Sequence, residues 1–269
     1  MVRIDSELAA RGLARSRSHA ANLVDAGRVL VDGKPARKAS QNVAEEAKLK
    51  VIEAVDYVSR AGYKLAGALD EFGALELVGK VALDVGASTG GFTDVCLRRG
   101  ASHVIALDVG HDQIAEEFRG NPRVSVIEGF NARELSRETL SDSLGTDSIP
   151  EIGIVVADLS FISLTLVLEQ MVSVAPKADY VLLVKPQFEA GKESLNAHGI
   201  VTDHRLRSAA VEGVAEFGEK LGLRVVEVLR SSLPGTHGNI EYVLWMSATQ
   251  GEYLSKWKQR IAELAKESK

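Results

Sequence analysis

"VALDVGASTGGF", residues 81–92, decides the fold: an apolar, β-prone run passes into a glycine-rich turn and then into the helical pattern "FTDVCLRRG". A strand, a glycine-rich turn and a helix in that order is how doubly wound α/β folds hold mononucleotide-like ligands, at the helix N-terminus. Gly86, Gly90 and Gly91 let the backbone come close to such a ligand. The spacing G-A-S-T-G-G lacks the middle glycine of G-x-G-x-x-G, which argues against a dinucleotide pyrophosphate. Asp108 closes the next apolar run, "HVIALDV", about 20 residues further on, where a carboxylate accepts from both hydroxyls of a ribose.

Outward from this unit, the chain from Ser59 alternates helices with short apolar strands, the signature of a parallel sheet covered on both faces. The strand candidates are "VALDV", "HVIALDV", "VSVIEG", "IGIVVAD", "YVLLV", "LRVVEVLR" and "EYVLWMS". Helices are expected over 89–100, 112–120, 163–175 and 203–222, with an amphipathic helix in the tail from 252. The fold class is therefore α/β: a Rossmann-like seven-stranded domain over 59–269, preceded by a small α+β module over 1–58.

That module is basic. Residues 1–40 hold eight Lys/Arg against four acids, a surplus of four, whereas the whole chain carries −5. A basic head on an acidic body suits a polyanionic partner, although a solvated helix face gives the same count. "IDSELAARG" ends at Gly12, "SRSHAANLVDAG" opens on a capping Ser16 and stops at Gly27, and "RVLVDGKPA" places Asp32-Gly33 between β-prone runs as a hairpin turn. This helix–helix–hairpin order resembles the RNA-binding module named after ribosomal protein S-four. The resemblance places Arg3, Arg15, Arg17 and Lys38 against phosphates, a task to which the guanidinium fork is suited.

The 45% apolar content suits a packed core, and the lone Cys96 makes no internal disulfide, consistent with a reducing cytosol. No apolar run approaches the roughly 20 residues of a membrane-spanning helix. His103, His111, His198, His204 and His237 lack metal-ligand spacing, so no metal is expected, nor a membrane, and the chain is expected to be a monomer.

"LDVGASTGGF" followed by "ALDVG" resembles the first two motifs of S-adenosylmethionine-dependent methyltransferases. The resemblance implies that Asp84, Gly86, Ala87, Ser88, Gly90, Gly91 and Phe92 hold the methionine end and Asp108 the ribose. Asn131 falls where related enzymes carry an Asp that contacts the adenine amino group.

Four further residues fall at one rim of such a sheet. Lys64 is in the helix before the first strand, in "SRAGYKL"; Asp158 ends the fourth strand in "VVADLSF"; Lys185 ends the fifth in "LLVKPQF"; Glu241 opens the last, antiparallel strand in "GNIEYVLW". Singly, each reads as a cap or a surface charge. Together they suit methyl transfer to a ribose 2′-OH, which needs an aligned oxygen and help in losing its proton. Two amines in one pocket ease deprotonation of one of them, and two carboxylates orient and balance them.

The Lys-Asp-Lys-Glu set resembles that of the FtsJ-type ribose 2′-O-methyltransferases. With the basic head and "KPQFEAGKE…GIVTD", the chain is similar over nearly all its length to the TlyA family of ribosomal RNA cytidine 2′-O-methyltransferases, also called hemolysin-like. The resemblance implies S-adenosylmethionine as cofactor, ribosomal RNA or ribosomal subunits as partner, and Lys185 as proton acceptor tuned by Lys64, Asp158 and Glu241. Members act on the large subunit and some also on the small one, and the longer C-terminal tail here leans toward the second kind. Phe161 in "DLSF" either stacks on the target cytosine or packs, and Lys192 and Asn239 sit in polar rim loops.

Two other functions compete. A cytolysin, suggested by the family's historical name, predicts a spanning or strongly amphipathic segment, and the tail has a Lys/Glu-rich face suited to solvent. A non-catalytic RNA-binding assembly factor would keep the fold without needing the four rim residues.

Overall fold

The computed structural model describes residues 2–14, 16–25, 27–51, 57–235 and 238–267. The chain divides into two compact units, Met1–Asp56 and Tyr57–Lys269. Tyr57 and Val58, assigned by sequence to the head, fall in the second unit, where the Tyr57 ring meets Tyr63 edge-on at 5.1 Å.

In the first unit β1 (Val2–Arg3) leads into α1 (Ile4–Ala10), then come α2 (Arg17–Asp25), β2 (Val29–Val31), β3 (Lys34–Pro35), β4 (Asn42–Val43) and β5 (Leu49–Val51). The Ser16 hydroxyl accepts the His19 N–H at 3.1 Å, the cap read from sequence. Asp32 and Gly33 both adopt positive φ, 49° and 80°, which is what a two-residue hairpin turn between β2 and β3 requires. The pairing of β1 with β4 was not expected, since two residues carry no periodic signal. Ile4, Leu8, Ala20, Leu23, Val24 and Val29 form this unit's own core.

The second unit is a seven-stranded sheet built from β6 (Val81–Val85), β7 (His103–Leu107), β8 (Val124–Ile127), β9 (Ile152–Ala157), β10 (Asp179–Val184), β11 (Arg224–Arg230) and β12 (Tyr242–Ser247). Its order is β11-β12-β10-β9-β6-β7-β8, with β12 antiparallel to both neighbours and the other pairings parallel. All seven expected strands are present. Central strands alternate between two apolar cores: Leu83, Val155 and Leu182 face one, while Ala82, Ile154 and Val181 face the other. Burial on both faces explains why these strands read as continuous apolar runs.

Around the sheet lie α3 (Arg60–Phe72), α4 (Gly91–Arg98), α5 (Arg137–Leu144), α6 (Leu168–Val174), α7 (Pro186–Glu189), α8 (His204–Lys220) and α9 (Lys258–Lys266). Two expectations fail. The helix over 112–120 is a single 3₁₀ turn, Glu116–Phe118, because its apolar residues Ile114 and Phe118 fold down onto Gly90 rather than forming a helical stripe. The helix over 163–175 is broken into a 3₁₀ turn and α6. The tail's apolar face is covered: Ile261 and Leu264 of α9 belong to the first core. Among the described residues no helix is long and apolar enough to cross a membrane.

Candidate active site

Register places the rim residues. In the parallel pair β6–β9, Val85 lies opposite Ala157, so the chain leaves both strands with Gly86 beside Asp158. Gly86 has φ 88°, and a Cβ there would lie 2.7 Å from the Asp158 carbonyl oxygen, so glycine is required on both counts. In the antiparallel pair β10–β12, Val184 lies opposite Tyr242, which sets Lys185 and Glu241 at the same end. Lys64 reaches that end from the second turn of α3.

The four side chains form two ion pairs. Lys64 Nζ donates to Glu241 Oε2 at 2.5 Å, with side chains only 10% and 2% exposed. Gln187 Nε2 donates to the other oxygen of Glu241 at 3.5 Å, and any Cβ on Gly235 would overlap that carboxylate. Lys185 Nζ lies 2.7 Å from Asp158 Oδ1 and donates to Ser160 Oγ at 2.9 Å. The Lys185–Asp158 approach is off the hydrogen-bonding direction, leaving Oδ1 without a directed hydrogen bond, so this pair is held by charge alone. Gln187, two residues after Lys185, reaches Glu241 alone among the described residues, and its own Oε1 has no hydrogen-bond partner.

A cavity of about 450 Å³ opens beside Asp158. Gly86, Ser88, Asp108 and Asn131 line it with Asp158, and Leu107, Val109, Phe130 and Ile162 supply apolar walls. Asp108 ties two turns together: Oδ2 accepts the Ser88 N–H and Oδ1 the Gly110 N–H, both at 2.7 Å, and each oxygen keeps a free lone pair. The Asn131 carbonyl caps the following 3₁₀ turn by accepting the Arg133 N–H at 3.1 Å.

The rest of the glycine-rich loop lies behind the cavity and shapes it. Phe92 is buried in the second core with Ala87, Gly90 packs on the Phe118 ring, and Gly91 fits against Ser59 and Gly62 at the start of α3. Asp84 is fully buried: Oδ2 accepts the Thr93 hydroxyl at 2.6 Å and Oδ1 has no hydrogen-bond partner. Burial, reinforced by the charges of Asp158 and Asp108 and opposed by the Thr93 hydrogen bond, pushes its carboxyl up to about 7.

The loop after β9 carries Phe161, 92% exposed, with its ring 5.2 Å from that of Phe188 and its backbone at φ 66°. Phe161 is therefore not a core residue. Asn239 is 4% exposed and donates to the Gly199 carbonyl at 3.1 Å, which makes it a tie between rim loops rather than an outward contact. Sequence reasoning missed Thr93, Ser160, Gln187 and Gly235. The available signal was position, because all but Thr93 lie within a few residues of a strand end that lines the crevice.

In the head, Arg3 forks onto Asp5 through Nε (3.1 Å) and Nη2 (2.7 Å), and Arg17 Nη2 reaches the same carboxylate at 3.4 Å. The two guanidiniums remain 48% and 62% exposed, and they hold the Asp5 carboxyl well below the usual carboxylate range. The turn starting at Lys38 is hydrogen-bonded to the start of α1, Ile4 N–H to the Gln41 carbonyl at 2.8 Å, so Lys38 stands near the Arg3–Asp5 pair. Arg15 lies outside the described residues. Among the described residues no group of three or more His, Cys, Asp or Glu could hold a metal ion.

Strand order, glycine turn and crevice together define a methyltransferase domain of the FtsJ-like class: the FtsJ-like methyltransferase family matches residues 57–248, and the S4 domain matches residues 2–49. S-adenosylmethionine is the cofactor that this family implies. Within it, the chain belongs to the TlyA family of rRNA cytidine 2′-O-methyltransferases. It is 47% identical over 256 residues to the 16S/23S rRNA (cytidine-2′-O)-methyltransferase TlyA of Mycobacterium tuberculosis, covering 94% of this chain and 92% of the relative. It is 36% identical to Hemolysin A of Brachyspira hyodysenteriae, over 90% of this chain and 98% of the relative. A solved hemolysin-named structure from Streptococcus thermophilus superposes with a TM-score of 0.72 at 32% identity, covering 98% of this chain and 95% of that one.

Proposed function

We propose that the protein transfers a methyl group from S-adenosylmethionine to the ribose 2′-OH of a cytidine in ribosomal RNA, of the large subunit and also of the small one. Membership of the family and the M. tuberculosis relative's name for both RNAs support the substrate. One observation carries the site: Asp158 lines the cavity and also contacts Lys185 Nζ at 2.7 Å, so the candidate proton acceptor stands at the mouth of the candidate cofactor site.

The cavity suits the cofactor. Its apolar walls accept an adenine, the free lone pairs of Asp108 accept ribose hydroxyls, and Gly86 leaves the backbone open where a side chain would intrude. Ser88 joins Gly86 at that wall, while Asp84, Ala87, Gly90, Gly91 and Phe92 hold the turn in shape, and Asn131 keeps one lone pair for the adenine amino group. When bound, S-adenosylmethionine supplies a methyl group made electrophilic by a sulfonium.

The chain's own residues then handle the hydroxyl. Lys185, positioned by Asp158 and Ser160, takes the 2′-OH proton as a neutral amine, its ammonium proton having first passed to water. Lys64 and Glu241, fixed to each other with Gln187 on the carboxylate, keep the rim near neutrality and supply its second amine. Phe161, exposed on Phe188, offers a face on which the target cytosine stacks. Arg3, Arg15, Arg17 and Lys38 grip RNA phosphates, and the head serves as the RNA-binding domain for the 59–269 methyltransferase domain. Acting on ribosomes, such an enzyme works in the cytoplasm.

Lys185→Ala should lower methylation of ribosomal subunits by at least about 10²-fold, the usual worth of a positioned acid–base group, and leave cofactor affinity nearly unchanged. Tritium transfer from labelled S-adenosylmethionine measures the first and calorimetry the second. Turnover like that of the wild type in this variant overturns the assignment.

A further inference from the structure

We propose that Glu189 is a positioning residue for the reaction inferred above: it clasps the far end of the loop that follows β9, and so fixes Phe161 and the surroundings of Lys185 without touching substrate.

Glu189 ends α7, the short helix that begins one residue after Lys185. Both of its carboxylate oxygens are spent on the opposite loop: Oε2 accepts the Ser163 hydroxyl at 2.5 Å and Oε1 accepts the Leu164 N–H at 2.9 Å. No ion pair reaches it among the described residues, and burial raises its carboxyl above the ordinary range, with the two hydrogen bonds opposing. Glu189 is half-buried, and its two hydrogen bonds offset the cost of drawing a carboxylate partly out of water while fixing the segment that donates them.

The segment it holds runs from Asp158 to Leu164. Lys185 holds the near end, through Asp158 at 2.7 Å and Ser160 at 2.9 Å. Phe188 meets Phe161 in the middle, ring to ring at 5.2 Å. Glu189 closes the far end. Phe161 has φ 66°, a left-handed conformation that a bulky residue keeps only where its surroundings over-determine it. With 92% of it exposed, core packing cannot supply that constraint. Tethers on both sides can, and the far one is Glu189.

The test uses the full-length protein with three readouts: amide exchange at Leu164, cofactor affinity, and methylation kinetics on ribosomal subunits. In Glu189→Ala, Leu164 should lose protection. Turnover should fall on the order of tenfold to a hundredfold, as expected when reacting groups are misplaced by about 1 Å, while cofactor Kd changes less than about twofold. Glu189→Gln should recover most of the turnover, because its amide oxygen still accepts the Leu164 N–H. Unchanged turnover in Glu189→Ala, or a loss of cofactor affinity in step with turnover, overturns the proposal. Should the alanine variant fail to fold, Ser163→Ala, which removes the hydroxyl donor to Glu189 together with the Ser163 cap on the Thr165 N–H, must show the same split at smaller amplitude. Wild type and Lys185→Ala run alongside. If the wild type does not methylate, the reading of function has failed and the positioning role falls with it; a silent Glu189→Ala beside an active wild type overturns the clasp alone.

Discussion

Two lysine–carboxylate pairs stand at one rim, yet they are built differently. Lys64–Glu241 is closed: a directed 2.5 Å hydrogen bond, both side chains at most 10% exposed, the carboxylate sealed beneath Gly235 and touched by Gln187. Lys185–Asp158 is nearly as buried, at 10% and 15% exposed, but open in its bonding: its 2.7 Å contact is off-axis, Ser160 shares the amine, and Asp158 lines a 450 Å³ cavity. A closed pair fixes charge and geometry. In the open pair the amine has no directed bond to its carboxylate, which suits the proton-accepting role proposed above. That contrast, rather than the mere presence of four charged residues, supports the proposal of Lys185 rather than Lys64 as the proton acceptor.

The contrast breaks most visibly at Glu241. Glu241→Ala leaves Lys64 buried without its partner, which should cost about 3–5 kcal/mol of stability, read as a drop in the urea midpoint. Asp158→Ala, beside a cavity, should cost less stability and more turnover. Equal destabilisation by the two substitutions would erase the distinction between a closed and an open pair.

Asp84 extends the comparison to a buried carboxylate that no cation reaches among the described residues. Its folded-state value of about 7 stands above the ordinary 3.8. The folded protein thus holds a proton that the unfolded chain gives up, and stability from this group is full below about pH 4 and is lost as pH rises to 7. Across that window the loss amounts to about 4 kcal/mol. Asp84→Asn should remove this component, so the variant gains on the wild type between pH 4 and pH 8 in urea unfolding. A difference between the two that stays flat with pH refutes the raised value.

How much of this was legible depends on what enforces each feature. The five inner strands were readable because burial on both faces writes them as nearly unbroken apolar runs, and the shared rim of Asp158, Lys185 and Glu241 was readable because strand ends in such a sheet line one edge, which Lys64 reaches from α3. The helix Arg137–Leu144 was not read, since Leu140 is its one buried residue; its signature was the capping box of Ser136 and Thr139. Residues 112–120 misled because Ile114 and Phe118 mimic helical spacing while serving a tertiary contact with Gly90. The pairing of charges into a closed and an open couple, and the Glu189 clasp, depend on which loops meet, and local pattern does not encode that.

The head inverts the balance of the rim, and the smallest predicted effect follows from it. At the rim two amines meet two carboxylates; at the head two guanidiniums share one, Asp5, which leaves a surplus positive charge on exposed donors. Asp5 is itself only 7% exposed in its side chain, so it serves as a fixed post from which Arg3 and Arg17 project. A phosphate bound there displaces counterions, so each arginine that engages one adds about 1 to the slope of log affinity against log salt. Arg17→Ala, whose contact with Asp5 is the longer at 3.4 Å, should lower that slope by about 1 and leave the fold intact. Arg3→Ala should lower it similarly but also cost some stability, because Arg3 makes the two-pronged bond to Asp5. A salt slope that neither substitution changes would mean that the pair only neutralises Asp5, making the head's cluster a brace of the same kind as Lys64–Glu241.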